Sequence, residues 1–539
     1  MLKYFELAKA IESFIIFIKN SITANFSTLY PMYNPLTLSV LLLILCVNFS
    51  CHPGNAALST ARIEVSGGNI LQKDLIVSRT LNGTNFWANK QTFRYDSKGT
   101  TTININKEEC GLVLLRYDDG FVSRLIISPG DQVKVNIIAD AQGHPRLTYE
   151  GTNAAGHEFF NSLNRPGILE LPNPYGHDSD ATNIKHKVQV KMEMELSVLK
   201  DLLDKGKINK AYKTLAELDI RYYYAASLAD AIENKYHLAR FFPKKGNSVV
   251  GFSERYGKAW AYAFSAMPLQ SGEALASEYF RDYARIYYER YLGLYAPDKS
   301  GLLPSDTAEM QGLSKQEGRH ILNYAIIDRH FKDSIAEYLK AIYLYYTMAQ
   351  DTYEQSLLTI HAKFRQQYPA SRYLPFLQTY ADKVLAFQQT KDIEFTPDQQ
   401  FLPGYEQINS LSELQKALKN GPYYIDIWAT WCNPCKEEFK FNPSLTAMLQ
   451  NYNVKPLYLS IDKDSDDEDW KNMIKYYKLP GIHLRANDNL RKDLQKQLEN
   501  DHVFSIPHYL IINKKGAIVN RDAERPSSLD KLRKQIKKL

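Results

Sequence analysis

Cysteine is scarce, at five residues in a chain of 539. A small disulfide-stapled scaffold needs a denser supply, so that class is excluded and each thiol has to be read by itself. A large charge of one sign is also missing. Lysine and arginine number 66 against 60 acidic residues, a net charge of +6. Over this length that gives no reason to expect nucleic acid as a partner. Long hydrophobic runs are absent but for one. Leu36–Phe49 is apolar over 14 residues, short of the ~20 that a spanning helix needs, which excludes a polytopic membrane protein. At 44% hydrophobic and 23% charged residues, the composition is that of folded domains, about two to four of them.

The apolar run suits the hydrophobic region of an export signal, which is typically ~7–15 residues long. Lys3, Lys9 and Lys19 lie upstream, at the cost of a long approach; Met32 is an alternative start that leaves no basic residue before the run. Three readings of residues 1–51 stand side by side. Cys51 after Ser50 resembles a bacterial lipoprotein box, with its thiol lipidated and Asn48 where leucine is usual. Ordinary cleavage near Ala56 is the second, and an uncleaved anchor the third. Each places the bulk of the chain outside the cytoplasm, on the periplasmic side of a cell envelope. Dithiol chemistry there needs its own electron supply, an upstream membrane donor.

Residues 52–152 read as a β-sandwich-like domain. Short β-branched runs such as Ala61–Val65, Leu75–Arg79, Thr101–Ile105, Leu112–Arg116, Phe121–Ile127 and Val133–Ile138 are separated by turn signals at Asn82-Gly83 and Pro129-Gly130. Cys110, among them, has no motif partner and reads as a buried structural thiol. Residues 153–390 change to a period of three to four and read as an all-α region. Its segments include Val188–Leu203, Ala211–Ala231, Ala274–Leu292 and Ser334–Thr347. Much of the tyrosine lies here; the chain has 37, more than phenylalanine (24) and tryptophan (5) together. Rings packed between helices account for it, with a peptide-binding surface as the alternative. Polar residues 391–410, with Pro397 and Pro403, read as a linker. Residues 411–539 alternate helix and strand. The whole is a multidomain chain.

The chemistry is concentrated in Trp428-Ala-Thr-Trp431-Cys432-Asn433-Pro434-Cys435. The motif follows a strand and opens a helix. Free N–H groups at a helix start favour a thiolate at Cys432, which attacks a disulfide; Cys435 then resolves the mixed disulfide. Pro434 fits the first turn because its missing N–H leaves nothing unpaired. Zinc would need about four ligands, and no second Cys-x-x-Cys or nearby histidine pair exists. Asp462–Asp469 mimics a calcium loop, but Asp467 stands at the glycine position and Met473 at the closing glutamate. It reads as a solvated turn with a helix cap. No metal and no cofactor are expected.

On these residues the C-terminal domain resembles the thioredoxin superfamily, and within it the TlpA/ResA-like thiol-disulfide oxidoreductases. A second match is Ser505-Ile506-Pro507-His508-Tyr509. The resemblance implies a thioredoxin fold, a cis bond before Pro507, and a substrate chain that docks on Ile506, Trp431, Asn433 and Pro434. It gives Asp426 the part of the buried acid that handles the proton of Cys435, alongside Cys432, Cys435 and Pro507 as catalytic residues. Two positions depart from the family: Tyr458 replaces the buried lysine partner, and Lys440 stands where a proline is usual. The implied activity is reduction of protein or peptide disulfides in the cell envelope. The alternatives are an envelope scaffold that binds a peptide or partner and carries a redox-active thioredoxin unit, and, more remotely, a peroxiredoxin-like peroxidase, whose Pro-x₃-Thr-x₂-Cys setting is absent.

Overall fold

The computed structural model describes residues 60–539, apart from residues 68–73, 85–88, 118–121, 140–143, 164, 170–172, 242–247, 419–420 and 500–503. Residues 1–51, with Met32 and Cys51, lie outside the described residues.

The N-terminal strands are β1 (Ala61–Ser66), β2 (Leu75–Arg79), β3 (Lys90–Phe93), β4 (Thr101–Ile105), β5 (Gly111–Arg116), β6 (Val122–Ile127), β7 (Gln132–Ala139) and β8 (Pro145–Gly151). They form two sheets, ordered β4-β1-β7-β8 and β3-β2-β5-β6. Alternation sets the faces: Ile63, Val65, Ile103 and Val135 from one sheet meet Val77, Val113, Leu115 and Leu125 from the other in a single core. The opposite face of β5 and β6 is apolar as well. Leu112, Leu114 and Ile126 join the core of the helical region, which ties the two regions together. Cys110 packs half-buried against the two-sheet core, not buried as expected, and its thiol is 3.5 Å from the Asn106 carbonyl. Strands β3 and β8 carry mostly polar residues at the sheet edges and give no alternation to read.

The central helix of the α region is Lys210–Phe241. It packs against the helices Ala181–Asp204, Val249–Ala263 and Phe280–Arg285. Tyrosine does the packing. Tyr222, Tyr236 and Tyr283 are buried, and their hydroxyls reach the carbonyls of Pro268 (2.6 Å), Leu294 (3.0 Å) and Ala263 (2.9 Å). A large ring thus enters the core without stranding its polar end. The stretch expected as one helix over 274–292 is broken. It comprises a 3₁₀ turn (Gly272–Ala276), the Phe280–Arg285 helix and a π-helix (Ile286–Tyr295). The buried Asp219 carboxylate causes the break by accepting from Ser277 Oγ (2.8 Å) and the Glu278 amide (3.0 Å), which holds that backbone out of a helix.

The C-terminal domain is built on one sheet of β9 (Gln399–Phe401), β10 (Tyr423–Trp428), β11 (Lys455–Ser460), β12 (Gly481–Arg485), β13 (His508–Ile512) and β14 (Ile518–Asn520). Its order is β14-β13-β10-β11-β12-β9. Strands β9 to β12 run parallel and β13 antiparallel to β10. One expectation needs correcting: residues 391–410 are not a plain linker, because β9 pairs with β12 and closes the sheet edge. Gln399 is buried there, donating to the Ile474 carbonyl at 2.9 Å. Three residues, two of them glutamine, carry no readable strand pattern.

The helical region packs on this domain through the turn after the Asp333–Ala349 helix. Tyr353 is buried in the seam, stacked on Phe387 (4.7 Å), close to Tyr476 (5.2 Å), and bonded through its hydroxyl to that of Tyr477 (2.8 Å). Tyr353→Ala is expected to cost about 3–5 kcal/mol and Tyr353→Phe about 1 kcal/mol. Urea denaturation of the two variants checks both figures.

Candidate functional site

Every residue of β10 is buried, as a strand covered on both faces requires. At its end the chain turns through Ala429, Thr430 and Trp431. Asp462 holds this turn. It accepts from the Thr430 amide (3.1 and 3.0 Å) and hydroxyl (2.8 Å), and from Ser460 Oγ (2.7 Å). The expectation of a solvated turn is therefore wrong for Asp462 itself: it is fully buried, and burial raises its pKa. The helix that follows is Asp467–Tyr476, and the expected cap is not formed, because its N-cap Asp466 makes no side-chain capping bond.

Cys432 caps the Asn433–Glu438 helix, with Pro434 in its first turn. The Cys435 amide donates to Cys432 Sγ at 3.2 Å. The two sulfurs are joined in a disulfide with Cα atoms 5.3 Å apart, so the site is described in its oxidised form. Cys435 is wholly buried and Cys432 is 5% exposed, while Trp431 beside it is 62% exposed. Cys432 thus keeps a small access to solvent, with the exposed Trp431 next to it in the chain, and Cys435 has none. An N–H aimed at Sγ is the local interaction that favours thiolate there. Lys440, at the usual proline position, is exposed and paired with Glu437. The helix ends at Glu438, makes a 3₁₀ turn over Phe439–Phe441, and resumes with Pro443 in its first turn.

Asp426 is 2% exposed, and neither carboxylate oxygen has a hydrogen-bond partner among the described residues. Burial first, then the nearby Glu438 charge, raises its pKa well above the ordinary carboxylate range. It therefore carries its proton near neutrality. Tyr458 and Tyr509 stand across from it in β11 and β13. His483 stacks on Tyr458 at 5.2 Å and is held neutral by burial, with its pKa pushed down to about 4. Glu438, whose charge acts on Asp426, lies three residues after Cys435 on the same helical face. Glu438 is a residue that sequence reading missed. It is buried and accepts from the Ser527 amide (2.8 Å) and hydroxyl (2.9 Å).

The Ile506–Pro507 bond is cis. The β10–β13 register pairs Ile427 with His508, which carries Pro507 to the level of Trp428, where the chain leaves for the cysteines. Ile506 packs on the same apolar cluster as Cys432 and Cys435. The fold thus brings the Ile506-Pro507 segment and the Trp431–Cys435 segment together from points some 70 residues apart. Cys51 lies outside the described residues.

Lys436 is the larger omission of the sequence reading. It follows Cys435 directly yet is buried, and its ammonium donates to the Asp351 carbonyl (2.9 Å) and to Asn433 Oδ1 (3.3 Å). It also lies over the Tyr353 ring at 5.6 Å. Only a lysine in the motif marked it; its partner is 85 residues upstream. Burial pushes its pKa down to about 8. Between that value and the unfolded value of ~10.4 the unfolded chain binds more protons, so stability rises with pH across this window. Urea midpoints measured from about pH 7 to 11 should show that rise, at most about 3 kcal/mol, and Lys436→Met should abolish it.

A family model described as thioredoxin-like matches residues 420–518. No curated protein matches the chain. Among solved structures, similar ones include a solution structure assigned as a thiol-disulfide oxidoreductase from Bacteroides vulgatus, at 31% identity over 22% of this chain and 72% of that one, TM-score 0.18. A thiol:disulfide interchange protein of the thioredoxin family from Chlorobium tepidum is 17% identical over 23% of this chain and 83% of that one, TM-score 0.20. A thioredoxin-like protein from Bacteroides caccae is 15% identical over 48% of this chain and 93% of that one, TM-score 0.18. TM-scores of this size carry no structural argument of their own. The family model's match agrees with the sheet order, the Cys432–Cys435 disulfide and the placement of Pro507. The C-terminal portion of this chain is a thioredoxin-like domain of the thiol-disulfide oxidoreductase kind.

Proposed function

We propose that the chain is an exported thiol-disulfide oxidoreductase that reduces disulfides of proteins or peptides on the outer side of a membrane, where a lipid on Cys51 holds it. The observation that carries the reading is the pair itself. Cys432 is the reachable sulfur with an amide N–H on it, and Cys435 lies directly behind it with no solvent access. Export rests on the Leu36–Cys51 sequence; among the described residues no helix is long and apolar enough to cross a membrane.

In the reduced protein the Cys432 thiolate attacks one sulfur of a substrate disulfide, and the other substrate sulfur leaves as thiolate. Cys435 gives up its proton through Asp426, which is itself protonated and so acts as a relay, passing on its own proton as it takes that of Cys435. It then attacks Cys432, and the second substrate sulfur leaves. The substrate gains two electrons and the protein ends as the Cys432–Cys435 disulfide. A membrane dithiol donor must reduce it before the next cycle. Trp431, Asn433, Pro434 and Ile506 form the surface against which the substrate chain lies.

Equilibration of the full chain with thiol buffers of known potential tests the direction. A midpoint near −270 mV supports reduction; one near −120 mV overturns it in favour of oxidation.

A further inference from the structure

Two adjoining cavities, of about 400 and 290 Å³, lie in the helical region. Glu289, Arg319 and Asn323 belong to the walls of both. The smaller is apolar, lined by Leu294, Met310, Leu313 and Leu322. The larger is cationic, with Arg281, Arg285 and Arg319 around it.

Three features set this double cavity apart from a gap in packing. Its shared wall includes the π-helix Ile286–Tyr295, closed by an i→i+5 bond from the Ala296 amide to the Tyr291 carbonyl at 2.7 Å. Such geometry is rare, and it is frequent at functional sites. The charges are unevenly used. Arg285 is paired with Glu289 (2.9 Å) and Arg281 with Asp282 (2.8 Å), whereas Arg319 makes no close ion pair among the described residues and acts on Glu289 only at longer range. His320, also in the wall, is 2% exposed. Its Nδ1 is bound to the Tyr343 hydroxyl (2.7 Å), but its Nε2 has no hydrogen bond among the described residues and stands 3.9 Å from Glu354 Oε2. Buried polar atoms are nearly always bonded, and each exception asks for an explanation, a ligand, water or ion among them; His320 Nε2 is one of several among the described residues.

The location connects the cavity to the dithiol. Gln350 and Thr352 line the cationic half, and between them the Asp351 carbonyl receives the ammonium of Lys436, next to Cys435. We propose that the double cavity anchors an acidic-apolar stretch of a polypeptide substrate, with a glutamate or aspartate carboxylate on Arg319 and a leucine-sized side chain in the apolar half. The proposal rests on the thiol-disulfide reading for the purpose of the anchor. The binding itself does not depend on that reading.

The test is fluorescence anisotropy of a labelled, blocked five-residue peptide alternating leucine and glutamate, titrated with full-length chain carrying Cys432→Ser, so that no thiol exchange contributes. Binding should weaken about tenfold or more when glutamine replaces glutamate in the peptide, and equally for the acidic peptide on Arg319→Gln. Arg319→Lys should restore part of it. Equal affinity for the two peptides, an unchanged affinity in Arg319→Gln, or binding of dodecanoate with none of the peptide would overturn the proposal.

Discussion

Insulin-disulfide reduction by a Cys432→Ser chain is expected to fall to the uncatalysed background, a loss of about a thousandfold or more. A serine hydroxyl at this position has no accessible anionic form near neutrality and cannot form the mixed disulfide. Cys435→Ser should stop multiple turnover as completely, for a different reason: the first exchange still occurs, and nothing then releases the substrate. Neither loss is an unfolding effect. The disulfide closes a loop of only four residues, so its cross-link removes little conformational freedom from the unfolded chain. Both variants should keep the far-ultraviolet circular dichroism and the urea midpoint of the reduced parent. Serine variants that retained activity would refute the proposed chemistry outright.

The next largest effect is expected at Asp426, where stability and activity should move in opposite directions. The buried acid keeps its proton in the folded protein, since burial and Glu438 raise its pKa. The unfolded chain releases that proton above about pH 4. Above that pH the folded state therefore binds more protons than the unfolded one, and the contribution of Asp426 to stability falls as pH rises toward its folded pKa. Asp426→Leu, which removes two unpartnered buried oxygens, should raise stability near pH 7 by about 1–3 kcal/mol. The gain should be smallest below about pH 4. Disulfide reduction should fall about a hundredfold, with an altered pH profile, because the proton of Cys435 loses its relay. A neutral acid retained at a cost to the fold is what a proton-transfer role predicts. If the leucine variant reduced insulin at the parental rate across pH, Asp426 would be a burial site and nothing more.

The legible parts of the sequence are those in which a pattern repeats locally. Trp431–Cys435 follows a strand that is apolar but for Asp426 and opens a helix, and Ile506-Pro507 precedes a strand, so both could be placed from the sequence. The two-sheet N-terminal region was readable because Ile63, Val65, Val133 and Val135 alternate with polar neighbours. What stayed hidden depends on partners distant in the chain. β9 is a strand only because β12 offers an edge. The break at Ser277–Glu278 exists because Asp219, 58 residues earlier, captures it. Lys436 looks like a solvated lysine until Asp351 and Tyr353 close over it. Asp462 looks like part of an acidic surface run, yet it is the acceptor that shapes the turn before Cys432. In each case a polar group finds its partner through tertiary packing, and periodicity holds no record of it.

The account as a whole depends on Cys432 being the sulfur that meets the substrate. Reduced chain carrying Cys435→Ser, incubated with a disulfide-containing polypeptide and digested without reductant, gives that answer by mass spectrometry. The account predicts one linkage, substrate cysteine to Cys432, stable until a thiol is added. Recovery of no adduct, or of one joined to Cys110, would contradict it.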